Sequence, residues 1–155
     1  GSGNDIITGQ GGTDNLTGGS GNDTFNVDAG SDTITDLGTG SDILVVSSGA
    51  TANATNVSSF TASSATRNSG TATINSVAGG STVDMSSSGL GGFTLAGNAG
   101  IDNLTGGSNN DIITGAGGND ATGVLYPMGM IIYGRWTQVI PAADADGGLI
   151  CYFGY

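Results

Sequence analysis

The chain has 155 residues and a net charge of −11, with all thirteen acidic residues Asp and only Arg67 and Arg135 as bases. That balance excludes nucleic-acid binding, which needs clustered Lys and Arg to neutralise phosphate, and it opposes an anionic membrane surface. Without His, Glu or Lys there is no usual general acid or base, the single Cys151 allows no intrachain disulfide, and no run is apolar enough to span a bilayer, so the expectation is a non-enzyme with no transmembrane segment.

Gly accounts for 31 residues, a share that often signals disorder. Here Gly and Asp recur at a fixed interval, which predicts a repeat architecture instead. Residues 1–45 form a first block. Asp5, Asp14, Asp23 and Asp32 are nine residues apart, and Asp42 follows after ten. Two residues before each stands Gly3, Gly12, Gly21, Gly30 or Gly40; two residues after stands Ile7, Leu16, Phe25, Ile34 or Leu44. Each unit is expected to make a tight turn, with Gly supplying positive φ, and then a short strand whose apolar residue points inward. The sequence opens with Gly1, inside a repeat, which suggests a processed or partial chain.

Residues 46–96 lose the Asp frame but keep its rhythm. Ile74, Met85, Leu95, Leu104 and Ile113 follow at intervals of 11, 10, 9 and 9, with Val83 and Phe93 as a parallel series two positions earlier. This predicts a Ser/Thr-rich β-solenoid without the Asp frame, with strands in TATINSV, STVDMSS and GFTLAG joined by turns such as AGG and SGLGG. For residues 47–70 a flexible linker is the competing reading. Residues 97–123 resume the frame: Asp102, Asp111 and Asp120 are nine apart, preceded by Gly100, Asn109 and Gly118 and followed by Leu104, Ile113 and Thr122. Asn is the best substitute for Gly at a left-handed turn position.

At Val124 the composition changes. Residues 124–155 hold both Pro residues, the only Trp and all four Tyr. Strands are expected at Met130–Trp136, Thr137–Ile140 and Leu149–Phe153, around an AADADGG turn. A segment this small builds no independent core, so it is expected to cap the solenoid and to mediate oligomer formation or docking to another assembly protein. Asp144 and Asp146 are read as turn formers, Arg135 as a partner for one of them, and Cys151 as a small buried hydrophobe.

The stretches GSGNDIIT, GGSGNDTFN, GGSNNDIIT and GAGGNDATG resemble the repeat-in-toxin (RTX) family, whose consensus is G-G-x-G-x-D-x-(apolar)-x. The resemblance covers about half the chain, in eight in-frame repeats. It implies an all-β fold, a parallel β-roll or β-solenoid with a small C-terminal β cap, in which two units complete one turn. Calcium is then held between stacked turns by Asp carboxylates and backbone carbonyls. The implied metal residues are Asp5, Asp23 and Asp42 on one edge, Asp14 and Asp32 on the other, and Asp102, Asp111 and Asp120 in the second block, with Asp102 and Asp120 sharing an edge. The residue chemistry agrees: Asp without His suits a hard, oxygen-seeking cation, and stacked carboxylates about 5 Å apart would repel without one. The GRWT…GG end is also similar to the C-terminal ends of some tailed-phage virion proteins. These readings imply an extracellular calcium-binding structural or surface-interaction protein of a surface layer, filament, adhesin or virion. The alternative is the C-terminal repeat region of a secreted enzyme or toxin. A third role, ice or glycan binding through Ser, Thr and Asn rows such as Thr8, Thr17 and Thr35, competes with their being ordinary solvent-facing strand residues.

Overall fold

The computed structural model describes residues 1–115 and the strand Ile131–Tyr133. Along the chain run β1 (Ile6–Thr8), β2 (Asn15–Leu16), β3 (Thr24–Val27), β4 (Ser31–Ile34), β5 (Ile43–Val46), β6 (Thr51–Val57) and β7 (Ser59–Thr61). They continue as β8 (Arg67–Asn68), β9 (Thr71–Ser76), β10 (Thr82–Asp84), β11 (Thr94–Ala96), β12 (Asn103–Thr105), β13 (Ile112–Thr114) and β14 (Ile131–Tyr133). Every pairing among them is parallel, and the described residues form no helix.

The strands stack into three sheets, in the orders β1-β3-β5-β8, β2-β4-β6-β9-β11-β13-β14 and β7-β10-β12. Consecutive members of a sheet lie one winding apart, which makes the fold a parallel β-solenoid. In the first block the winding is two nine-residue units: Ile7 pairs with Phe25 and Leu16 with Ile34. The extra residue before Asp42 is absorbed in the turn, where Thr39 N–H bonds to Asp36 O at 3.2 Å, so Phe25 still meets Leu44.

The core is a set of stacked rows. Leu16, Ile34, Ala54, Ile74, Leu95 and Ile113 form one, and Phe60, Val83 and Leu104 another, all buried. The alternation of inward and outward residues is the pleat of a strand, and each buried large side chain contributes about 1.5–3 kcal/mol.

Residues 47–70 are solenoid rather than linker, carrying β6, β7 and β8. The expected apolar series is altered at two points. Val83, not Met85, stacks with Leu104, while Met85 is buried just past the end of β10. Phe93 aligns not with Val83 but with Asp111 in the long sheet, because the turns of this region are longer than a nine-residue unit allows. At the C-terminal end, β14 lies within the expected strand Met130–Trp136 and pairs with β13 through Ile113 and Ile132. The expected strands Thr137–Ile140 and Leu149–Phe153, the AADADGG turn, Arg135, Asp144, Asp146 and Cys151 lie outside the described residues.

Candidate metal centre

Each in-frame Asp of the first block stands where a turn enters a strand, so the in-register stacking of strands also stacks the carboxylates. Asp5, Asp23 and Asp42 lie one above another at the entries of β1, β3 and β5. Asp14 and Asp32 do the same on the long sheet. A repeated bond links them: Asp5 N–H donates to Asp23 Oδ1 at 2.8 Å, Asp23 N–H to Asp42 Oδ1 at 2.8 Å, and Asp14 N–H to Asp32 Oδ1 at 3.0 Å. One carboxylate oxygen per winding is thereby spent on the backbone.

The other oxygen is left over. Oδ2 of Asp14, Asp23 and Asp32 is buried and has no hydrogen-bond partner among the described residues. A buried polar oxygen without a partner costs about 1–3 kcal/mol, and more when charged. Asp42 differs, because its Oδ2 accepts Gly38 N–H at 2.8 Å. The turn glycines make room for this arrangement. A Cβ on Gly18 would lie 2.1 Å from Asp23 Oδ2, and one on Gly21, at φ +131°, would lie 2.0 Å from the Gly3 carbonyl oxygen one winding away. No side chain fits either place.

In the second block the carboxylates are placed differently. Asp102 is fully buried at the entry of β12, at the register position that Ser81 occupies before β10. Asp111 enters β13, on the long sheet, and accepts Phe93 N–H at 2.7 Å and Gly107 N–H at 2.8 Å. Burial pushes the Asp111 carboxyl above its ordinary range, against the lowering pull of those two amides. Asp102 and Asp111 therefore sit on different sheets. Asp120, the expected edge partner of Asp102, lies outside the described residues.

Two features lie outside the Asp positions of the nine-residue frame. Asp36 accepts the N–H groups of Gly18 at 3.1 Å and Gly19 at 2.6 Å, holding two successive turn amides of the preceding winding. A second ladder runs through the residue before each Asp of the first edge: Asn22 N–H donates to Asn4 Oδ1 and Ser41 N–H to Asn22 Oδ1, both at 2.9 Å. The Asn4-to-Asn22 spacing of eighteen residues was the available signal for that ladder. Asp36 carried no periodic signal.

The donor set is all oxygen. Among the described residues no three acidic, His or Cys side chains converge on one point, so an ion here has to be shared between stacked carboxylates and turn carbonyls. Paired hard oxygens with a buried, unsatisfied negative charge fit calcium and not zinc. Asp5, Asp23 and Asp42 would hold it on one edge and Asp14 and Asp32 on the other, where it would supply the missing counter-charge.

Comparison with known proteins agrees with this chemistry. The family model for the RTX calcium-binding nonapeptide repeat matches residues 1–34 and 88–121, in four copies. A search of curated proteins and a search of solved structures found no match. The family match ends at residue 121, so it lends nothing to the tailed-phage resemblance of the C-terminal end. With its stacked Asp turns, its parallel windings and these matched stretches, the chain is a β-solenoid that carries RTX calcium-binding nonapeptide repeats.

Proposed function

We propose that this chain is a calcium-stapled rod with a structural or surface-interaction role outside the cell, as part of a surface layer, filament, adhesin or virion, and that it has no catalytic activity. The observation that carries the reading is the pair of carboxylate ladders with buried, unpartnered Oδ2 atoms on Asp14, Asp23 and Asp32. Such a stack is stable only with a cation in it. Extracellular calcium modules bind weakly, at roughly 10⁻⁴–10⁻³ M, so the rod would assemble where calcium is abundant and loosen where it is scarce. A non-catalytic role is supported by the absence of His, Glu and Lys from the whole chain. Docking is assigned to residues 124–155, where Tyr126, Met128, Met130, Trp136, Tyr152 and Phe153 concentrate apolar character in an otherwise polar chain.

The test follows the full chain by circular dichroism and sedimentation during a calcium titration. β-structure and an oligomer should both develop with calcium. Undiminished β-structure in excess chelator would remove the calcium staple from the proposal, and a monomer in saturating calcium would remove self-association.

A further inference from the structure

The outer face of the long sheet differs from the rest of this acidic molecule. Asn15, Thr33, Asn53, Thr73 and Thr94 are register partners across β2, β4, β6, β9 and β11. Two residues earlier, Ser31, Thr51 and Thr71 form a second row. One residue beyond the core positions Leu16, Ile34, Ala54 and Ile74 stand Thr17, Thr35, Thr55 and Asn75, a third. None of these residues is charged or aromatic, in a chain of net charge −11. The one acid on these strands, Asp32, is buried on the inner side.

The third row is also held in place. Thr17 and Thr35 Oγ1 share a hydrogen bond of 2.7 Å, Thr35 and Thr55 Oγ1 donate to Leu16 and Ile34 carbonyls at 3.3 and 3.4 Å, and Asn75 Nδ2 donates to Ala54 O at 3.0 Å. Side-chain ladders of this kind favour a flat sheet, and fixed rotamers lower the entropy lost on binding. The other two sheets lack this character. Their outward rows carry Ile6 and Ile43, Val45 and Arg67, or Asp84.

We propose that this face binds the ordered water of an ice surface. The rows present hydroxyl, amide and methyl groups on a net of about 4.8 Å between strands and about 6.6 Å along them, a mesh close to the oxygen repeats of ice faces. The charge matches as well, because an uncharged lattice gains nothing from Asp or Arg and this is the wall that omits both. A polysaccharide would call for aromatic stacking rings, and a second copy for apolar area; the rows offer neither. The array ends where Ala96 and the half-exposed Ile112 replace the polar series.

The full chain, folded in calcium, is tested for ice shaping and for incorporation into a slowly grown ice hemisphere. Thr73→Lys and Asn53→Lys place a charged side chain in the array, and Thr24→Lys places one on the β1-β3-β5-β8 sheet. Variants are compared only where their circular dichroism in calcium equals that of the parent. The parent should enter the ice, Thr24→Lys should follow it, and Thr73→Lys and Asn53→Lys should be excluded. A folded parent excluded from ice overturns the proposal, as does equal loss in Thr24→Lys. Retention on cellulose or chitin without entry into ice would reassign the face to a glycan.

Discussion

Replacing Asp23 by Asn removes one charge and leaves the shape of the first edge unchanged. Asp23 is 1% exposed, with Asp5 and Asp42 as its stacked neighbours. Two carboxylates about 5 Å apart repel by about 3 kcal/mol at an effective dielectric near 20. The Asp42 contact carries about that much. The Asp5 contact carries much less, because the Asp5 side chain is 47% exposed and screened by water. Without calcium, then, Asp23→Asn should be more stable than the parent by about 3 kcal/mol. With calcium the order should reverse. A site saturated at a hundred times its dissociation constant stabilises by about 2.7 kcal/mol, and Asp23 borders the gaps on both sides of it, so up to about 5 kcal/mol of calcium-linked stability is at stake. Asp5→Asn borders only one gap among the described windings and should lose about half as much. The assay is urea unfolding by far-ultraviolet circular dichroism, in chelator and across a calcium series. If parent and Asp23→Asn gain equally from calcium, the stacked carboxylates do not share ions and the reasoning fails.

Gly18→Ala should weaken apparent calcium affinity at least about tenfold, because its Cβ would lie 2.1 Å from Asp23 Oδ2. Gly12→Ala, at φ +123° with open space around it, should cost only the backbone strain of about 1–2 kcal/mol and leave affinity unchanged, as calorimetric titration would show. Asp111 sets a pH dependence in the calcium-free chain. Its folded-state value is raised by burial, so between the ordinary and raised values the folded chain holds more protons than the unfolded one. The Asp111 contribution to stability should accordingly be greatest at or below the ordinary value and be lost as pH rises through the raised one, and subtracting an Asp111→Asn profile should isolate that slope. In chelator, hydrogen exchange should stay slow in Thr51–Ser76 and become fast in Gly3–Val27; equal protection of both segments would contradict a calcium-dependent first block.

The first block was the most legible part of the chain. A nine-residue Asp spacing with two units per winding fixes an eighteen-residue pitch, and that pitch alone places Asp5 over Asp23 and Leu16 over Ile34. The middle was legible in kind but less so in register, because without Asp and Gly nothing marks where a turn ends. Val83 and Met85 are both apolar and two residues apart, so alternation admits either, and only the closure of the longer turns selects Val83 to face Phe60 and Leu104. The role of Asp36 was not legible. Its bonds run to backbone amides of Gly18 and Gly19, and an amide has no side-chain identity to read from a sequence.

The middle windings also explain how a chain can lose its Asp frame and remain a solenoid. Along the long sheet the position held by Asp32 passes to Ala52 and Ala72, then to Phe93, before returning to acid at Asp111. On the short sheet Ser81 stands where Asp102 follows. Ala52, Ala72 and Phe93 are buried, and Ser81 Oγ spends its proton on Val57 O at 2.8 Å. Every one of these residues fills the same place in the turn without a charge, so these positions present no carboxylate for a cation to neutralise. The first block instead buries Oδ2 of Asp14, Asp23 and Asp32 without a hydrogen-bond partner, and there the proposed cation would act. The core of the middle, with Phe60, Phe93 and Met85 buried in it, would supply by apolar contact what calcium is proposed to supply to the first block. Calcium on this reading sets how much of the rod is ordered, and the uncharged windings set the part that persists without it.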